Sequence, residues 1–173
     1  FFNMPQGIRF QTTKDSVPAN ILFVSQWDNH PDKAVIPVDA KRASHAYFLM
    51  AGTTNHQQCH MVNGVVRVTY KDGSQDSLLL VNPETWVPIE QDFFEDNMAF
   101  DIKAPRPYRV QLSTGLVSRD LEQDLQLKDV EYSKGRNIPG GAAVMLDLPL
   151  QADKEIVSVA LESNTIESII GLI

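Results

Sequence analysis

Apolar residues along this chain fall in short blocks separated by turn residues, a rhythm that predicts many strands and little helix. The densest block is HAYFLMAG, His45 to Gly52, inside the stretch Ile36 to Thr54. Period alone does not assign so short a block. Its length, Tyr47 and Phe48, and the flanking Gly52-Thr53-Thr54 predict a strand buried on both faces. A second block follows in NGVVRVTYKDGSQDSLLLVN, where alternating Val66, Val68 and Tyr70 face Leu78 and Leu80 across Asp72-Gly73. Asp-Gly between two such runs is a hairpin signature, because glycine accepts the backbone angles of the tight turn.

Further strands are predicted in IRFQTT, NILFVS, YRVQLSTG, AAVMLDLPL, EIVSVALES and TIESIIGLI. Pro37, inside a strand pattern, points to an edge or a bulge. Sliding the chain along itself places Ile36–Thr53 over Leu148–Thr165, matching Pro37 with Pro149, Ala40 with Ala152, Leu49 with Leu161 and Thr53 with Thr165. That echo is what two similarly built strand-turn-strand units of one sandwich would produce. Leu121 and Leu125, with acidic residues between them, predict about two helical turns. Between Val81 and Tyr108, PETWVPIEQDFFEDNMAFDIKAPRPYR holds no steady period and reads as one long irregular loop, a kind of segment that binds, gates or docks. The expected architecture is all-β: a single β-sandwich over residues 1–173 with jelly-roll-like crossings, an immunoglobulin-like sandwich being the alternative, disfavoured by the missing Cys pair.

Composition narrows the partners. With 173 residues the chain can bury roughly 70% of its unfolded surface, enough for a core without staples. The single Cys59 excludes an intrachain disulfide and leaves the compartment open. A net charge of -7, from 22 acidic and 15 basic residues, argues against nucleic acid and anionic lipid as partners. No apolar run reaches the roughly 20 residues of a membrane span. The chain begins at Phe1 and ends in the apolar SIIGLI, which leads us to expect a piece of a longer multidomain polypeptide.

Candidate chemistry is sparse. His56, Cys59 and His60 are metal-ligand types at close spacing, but no second Cys or His pair completes a zinc set, so a polar loop is expected and no metal. Glu90, Asp92, Glu95, Asp96 and Asp101 lack the Asp-x-Asp-x-Asp-Gly spacing of a calcium loop and read as a solvated acidic face. Glu84, Glu90 and Asp92 could serve glycoside hydrolysis, which needs two carboxylates across a cleft. No Gly-x-Ser-x-Gly elbow, phosphate-cradling loop or other cofactor motif is present. Trp27, Trp86, Phe93, Phe94 and Tyr108 fall in loops or at loop edges. Sugar C–H faces stack on such rings while nearby Asp and Arg bond hydroxyls. The candidate glycan contacts are therefore Trp27, Trp86, Asp92, Phe93, Arg106 and Tyr108. The alternative is that these rings pin the long loop to the sandwich or meet a neighbouring domain.

Five segments in order, AYFLMAGTTN, VTYKDGS, NPETWVPIEQD, PYRVQLSTG and GGAAVMLDLPL, resemble an accessory β-sandwich region of large secreted bacterial proteins of polysaccharide breakdown. In those proteins the region stands beside six-hairpin (α/α)6 glycosidase-like modules. The resemblance runs from about Val38 to the C-terminus and carries no catalytic residues across. It implies a secreted or periplasmic location, a carbohydrate-related role and a catalytic domain in cis. Glycosidase activity of the chain itself and a plain protein-interaction role are the other readings.

Overall fold

In the computed structural model the described residues are 2–5, 7–11, 20–27, 29–91, 102, 105–127 and 137–173. In chain order the elements are β1 (Phe2–Asn3), β2 (Arg9–Phe10), β3 (Leu22–Ser25), β4 (Lys33–Lys41), β5 (His45–Thr54), β6 (Val62–Tyr70), β7 (Gln75–Val81), β8 (Arg109–Gln111), β9 (Val117–Ser118), α1 (Leu121–Leu125), β10 (Ala142–Pro149), β11 (Ile156–Ser163) and β12 (Ser168–Leu172). A six-stranded sheet has the order β3-β12-β5-β10-β8-β9, and a four-stranded sheet has the order β4-β11-β6-β7. All pairings are antiparallel.

The order has a simple origin. β3 pairs with β12, β4 with β11, β5 with β10, and β6 with β7. The chain is thus one long antiparallel hairpin whose paired arms alternate between the sheets as they wrap, which is the jelly-roll arrangement. Its tip is the β6–β7 hairpin at Asp72-Gly73, where Ser74 donates its N–H to Asp72 Oδ1 at 2.9 Å. The echoing stretches are units β4–β5 and β10–β11, and they pair with each other strand for strand. Pro37 lies on β4, an edge strand, and the β4–β11 register shifts between Ile156 and Ser158, the residue opposite Pro37. Pro149 closes β10 beyond the residues that β8 covers.

Period-two alternation places the core. Phe48 and Met50 of β5, Val144, Leu146 and Leu148 of β10, and Ile170 of β12 meet Val66, Val68, Tyr70, Leu80 and Leu161 of the other sheet. The alternate residues of the six-stranded sheet, Leu49, Ala51, Ala143, Met145 and Val110, are buried too. Met4, Ile8 and Phe10 of the β1–β2 segment, with Ile89 and Tyr108, cover them. The central block is therefore buried on both faces. Leu121 of α1 packs with Ile138 and Ala142 in a smaller cluster. The helix is shorter than its pattern suggests: Asp120 caps Gln123 N–H, and Gln126 ends the element in the left-handed region at φ 50°.

A 60-residue excursion between Val81 and Ala142 leaves and rejoins the sandwich at a tied neck. Gln91 and Asn137 form an isolated antiparallel bridge, and Ile138 donates its N–H to Glu90 O at 2.9 Å. The buried guanidinium of Arg109 donates to the carbonyls of Gln91, of Pro88 at 3.1 Å and of Ala142 at 2.9 Å. One side chain thus holds both ends of the excursion together.

Ion pairs hold the Asp72-Gly73 end of the sandwich, through Asp72 and Glu155, and the outer face of the four-stranded sheet near its opposite end, through Glu162. Ser74 and Lys154 bond the Asp72 carboxylate and hold it well below the usual range. Lys71, then Arg42, lowers Glu155, while Lys33, then Arg67, lowers Glu162. Burial, then the bond to Asp76, raises the Tyr70 phenol.

Two outcomes are expected. Carboxylates lowered in the fold stabilise it fully above their unfolded values of 3.8 and 4.5, and this contribution disappears as pH falls through the folded values. Tyr70, raised in the fold, contributes below 10.0 and loses that contribution as pH rises further. Tm is therefore expected to hold near neutrality, fall below about pH 4.5 and fall again above about pH 10. An acid limb unaltered by Glu162→Gln would refute the assigned pair. In addition, a Cβ at Gly64 would stand 2.2 Å from Ile170 Cδ1 and 2.5 Å from the Glu162 carbonyl oxygen. Gly64→Ala is expected to cost about 1–3 kcal/mol in chemical denaturation.

Candidate functional site at the loop end

β3, β5, β7 and β11 end, and β4, β6 and β12 begin, at the end of the sandwich remote from the Asp72-Gly73 turn. Their connections are the loops at residues 26–32, 55–61 and 164–167. These loops are rich in Asn, Gln, Ser, Thr and His and also carry Asp28, Asp32 and Glu167.

Buried Ser168 joins the loops. Its hydroxyl lies 2.9 Å from Thr54 Oγ1, bonds Thr165 Oγ1 and donates to Gln58 Oε1 at 3.3 Å. Its carbonyl accepts from Ser25 Oγ at 2.9 Å. Ser25 Oγ in turn accepts the Trp27 N–H at 3.3 Å, and Gln26 Nε2 donates to Ser163 O at 3.0 Å. Asn63, also buried, is the second junction. Its Nδ2 donates to Gln58 O at 2.9 Å, and its Oδ1 accepts from Asn82 N at 3.1 Å and Trp86 Nε1 at 3.2 Å. Burying a hydroxyl or amide costs stability unless it is bonded in this way, and satisfied networks hold loops rigidly.

The exposed side of this frame carries Gln26, Trp27, Asn29, His30, Asn55, Gln57 and Asn164. Trp27 is 49% exposed, and the His30 ring meets Phe23 edge-on with centroids 5.0 Å apart. An exposed indole face on a loop rich in hydrogen-bonding side chains suits a ligand with C–H faces and hydroxyls.

The other sequence-derived contacts fare differently. Trp86 is 1% exposed and belongs to the core between the sheets, so its ring is not a stacking surface. Glycine at position 52 makes that burial feasible, since a Cβ there would stand 3.1 Å from Trp86 Cζ3, while Asn63 satisfies the indole N–H. Trp86 thus pins the start of the excursion. Tyr108 is half-buried on the outer face of the six-stranded sheet, with the Arg119 guanidinium 4.2 Å from its ring centroid. Its carbonyl accepts from Met145 N, so it borders β10, three strand intervals from β3. Trp27 and Tyr108 therefore stand at well-separated parts of the molecule and form no shared cleft. Arg106 is half-buried near Tyr108 in sequence, and Asp92 and Phe93 lie outside the described residues.

Glu84, Glu90 and His60 are engaged locally. Glu84 bonds His60 Nδ1 at 3.0 Å, and Glu90 accepts from Thr53 Oγ1 at 3.0 Å. Among the described residues no three His, Cys, Asp or Glu side chains converge as metal ligands. None of their helices is long and apolar enough to cross a membrane. Ser168, Asn63 and Gln58 escaped the sequence reading. The signal for Gln58 and Ser168 was the polar texture of TTNHQQ and ESNTIES, which marks loops without saying which of them meet, and Asn63 stood inside the strand pattern NGVVRVTY.

A contrast between two buried asparagines tests the frame. Asn63→Leu removes an acceptor from Trp86 and Asn82 and a donor from Gln58, and is expected to destabilise by about 3 kcal/mol. Neither polar side-chain atom of buried Asn82 bonds a protein group among the described residues, so Asn82→Leu is expected to stay within about 1 kcal/mol of the parent. Equal losses in denaturant titrations would overturn the network's assignment. Comparison of the chain with protein families, with curated proteins and with solved structures gives no match.

Proposed function

We propose that this chain is a non-catalytic jelly-roll module of a carbohydrate-processing protein, and that it binds glycan at the loop end through Trp27. The observation that carries the reading is Trp27 itself, half exposed on a loop tied through Ser25 and Ser168. The resemblance to accessory sandwiches of polysaccharide-degrading proteins agrees with it. On this reading the partner in cis is a catalytic module, the setting is secreted or periplasmic, and the chain's carboxylates perform no hydrolysis.

A second reading is supported by the apolar side chains of Ile21, Leu22 and Phe23, exposed at the edge of the six-stranded sheet. They favour docking on another protein, with or without a glycan contact.

Titration against plant and host glycans separates the two. Under the first reading Trp27→Ala is expected to weaken glycan binding by tenfold or more while Tm moves less than about 2 °C, because an exposed ring contributes little to the fold. Undiminished binding in Trp27→Ala would move the contact elsewhere, and the absence of any glycan binding would leave the docking reading.

A further inference from the structure

We infer that β3 pairs antiparallel with β3 of a second copy of this chain, about a two-fold axis at Leu22, and so joins two six-stranded sheets edge to edge. This rests on the docking reading above and commits its occupant. The outer strands of the two sheets are β3, β9, β4 and β7. Three of them carry features that discourage a further strand. β4 holds Lys33, Pro37, Asp39 and Lys41 and shifts its register against β11, β7 carries Asp76, and β9 is two residues long. β3 differs. Asn20 to Trp27 contains no charged residue and no proline, and Ile21, Leu22 and Phe23 are exposed in succession.

Backbone geometry selects the register. The Ser25 N–H turns away from β12 and donates to Pro31 O at 2.9 Å. In an antiparallel strand alternate residues turn their N–H and C=O to the same side, so those of Phe23 and Ile21 also face the open edge, while Leu22 and Val24 face β12. Setting Phe23 against Phe23 of the second copy would place Ile21 against Ser25, where Pro31 already accepts the N–H. Setting Ile21 against Phe23 instead uses the open residues of both copies and places Leu22 opposite Leu22.

Side chains support this pairing on both faces. A Cβ on Gly171, which lies opposite Phe23, would stand 3.0 Å from Ile21 Cγ2, so Ile21 and Phe23 share the outer face and Leu22 takes the core side. Apolar side chains thus meet on each face of the joined ribbon. A two-fold pairing sets this segment against itself, and an uncharged segment brings no like charges together there. Repulsion between copies arises from the chain as a whole, at -7, and salt screens it. Few side chains take part, so the dimer belongs to the small, transient class, with a dissociation constant of about 10–100 μM.

The test is sedimentation equilibrium of the intact chain from about 5 μM to about 1 mM, in low salt and in about 500 mM salt. A monomer–dimer equilibrium is expected, tighter by about threefold in high salt. Leu22→Lys and Leu22→Glu are each expected to weaken it tenfold or more by setting like charges face to face, and an equimolar mixture of the two is expected to restore it, because opposite charges then meet across the axis. Val35→Lys, at an exposed apolar position of the edge strand β4, is expected to leave the dimer unchanged. A mixture that stays monomeric would overturn the axis at Leu22, and an equal loss in Val35→Lys would overturn the assignment to β3. If the parent chain is monomeric throughout, anisotropy of the fluorescently labelled peptide NILFVSQ, residues 20–26, separates the two readings. Peptide binding would then overturn the second-copy inference and keep the docking reading, and its absence would overturn both.

Discussion

The burial of β5 on both faces is the constraint on which the rest of the structure depends. Phe48 and Met50 point between the sheets, whereas Leu49 and Ala51 point outward, and all four are buried. A two-layer sandwich satisfies only the first pair. The second pair requires another cover, and β10 doubles the requirement, since Ala143 and Met145 alternate with Val144 and Leu146 in the same manner. The β1–β2 segment, Ile89 and Tyr108 meet that need. Each large side chain so buried contributes about 1.5–3 kcal/mol, so leaving this face open would forfeit a large part of the stability of a domain of ordinary size.

This need explains how a long excursion is tolerated in the middle of a jelly roll. Residues 82–141 interrupt the hairpin between β7 and β10, yet they return the cover the six-stranded sheet lacks, and β8 extends that sheet past β10. The neck must therefore be fixed. Arg109 fixes it with bonds to carbonyls from both sides of the excursion, which suits a planar guanidinium with several donors better than any other side chain.

Legibility followed locality. The strand Ile36–Thr54 contains, the Asp72-Gly73 hairpin and the bulge near Pro37 are encoded within a few residues, and they stand where their patterns placed them. The echo of β4–β5 in β10–β11 was legible too, and its meaning is that each unit pairs with the other. Trp86 was misread because Pro83 and Pro88 give its surroundings the texture of a surface loop. Its burial is decided by Gly52 and Asn63, more than twenty residues away. The Ser168 junction was hidden for the same reason: its bonds to Thr54 and Ser25 span 114 and 143 residues.

The two tryptophans, grouped together by the sequence, prove to hold opposite ends of one network. Trp86 Nε1 donates to Asn63 Oδ1, and Asn63 Nδ2 donates to Gln58 O. Gln58 Oε1 accepts from Ser168 Oγ, Ser168 O accepts from Ser25 Oγ, and Ser25 Oγ accepts the Trp27 N–H. A ring locked in the core is thus linked bond by bond to the backbone of the ring that meets solvent. Such a frame lowers the entropy lost when a weak ligand binds, because the loops beneath it are ordered beforehand. The burial of Trp86 removes one candidate contact, and through this path it ties the loop that carries Trp27 to the core.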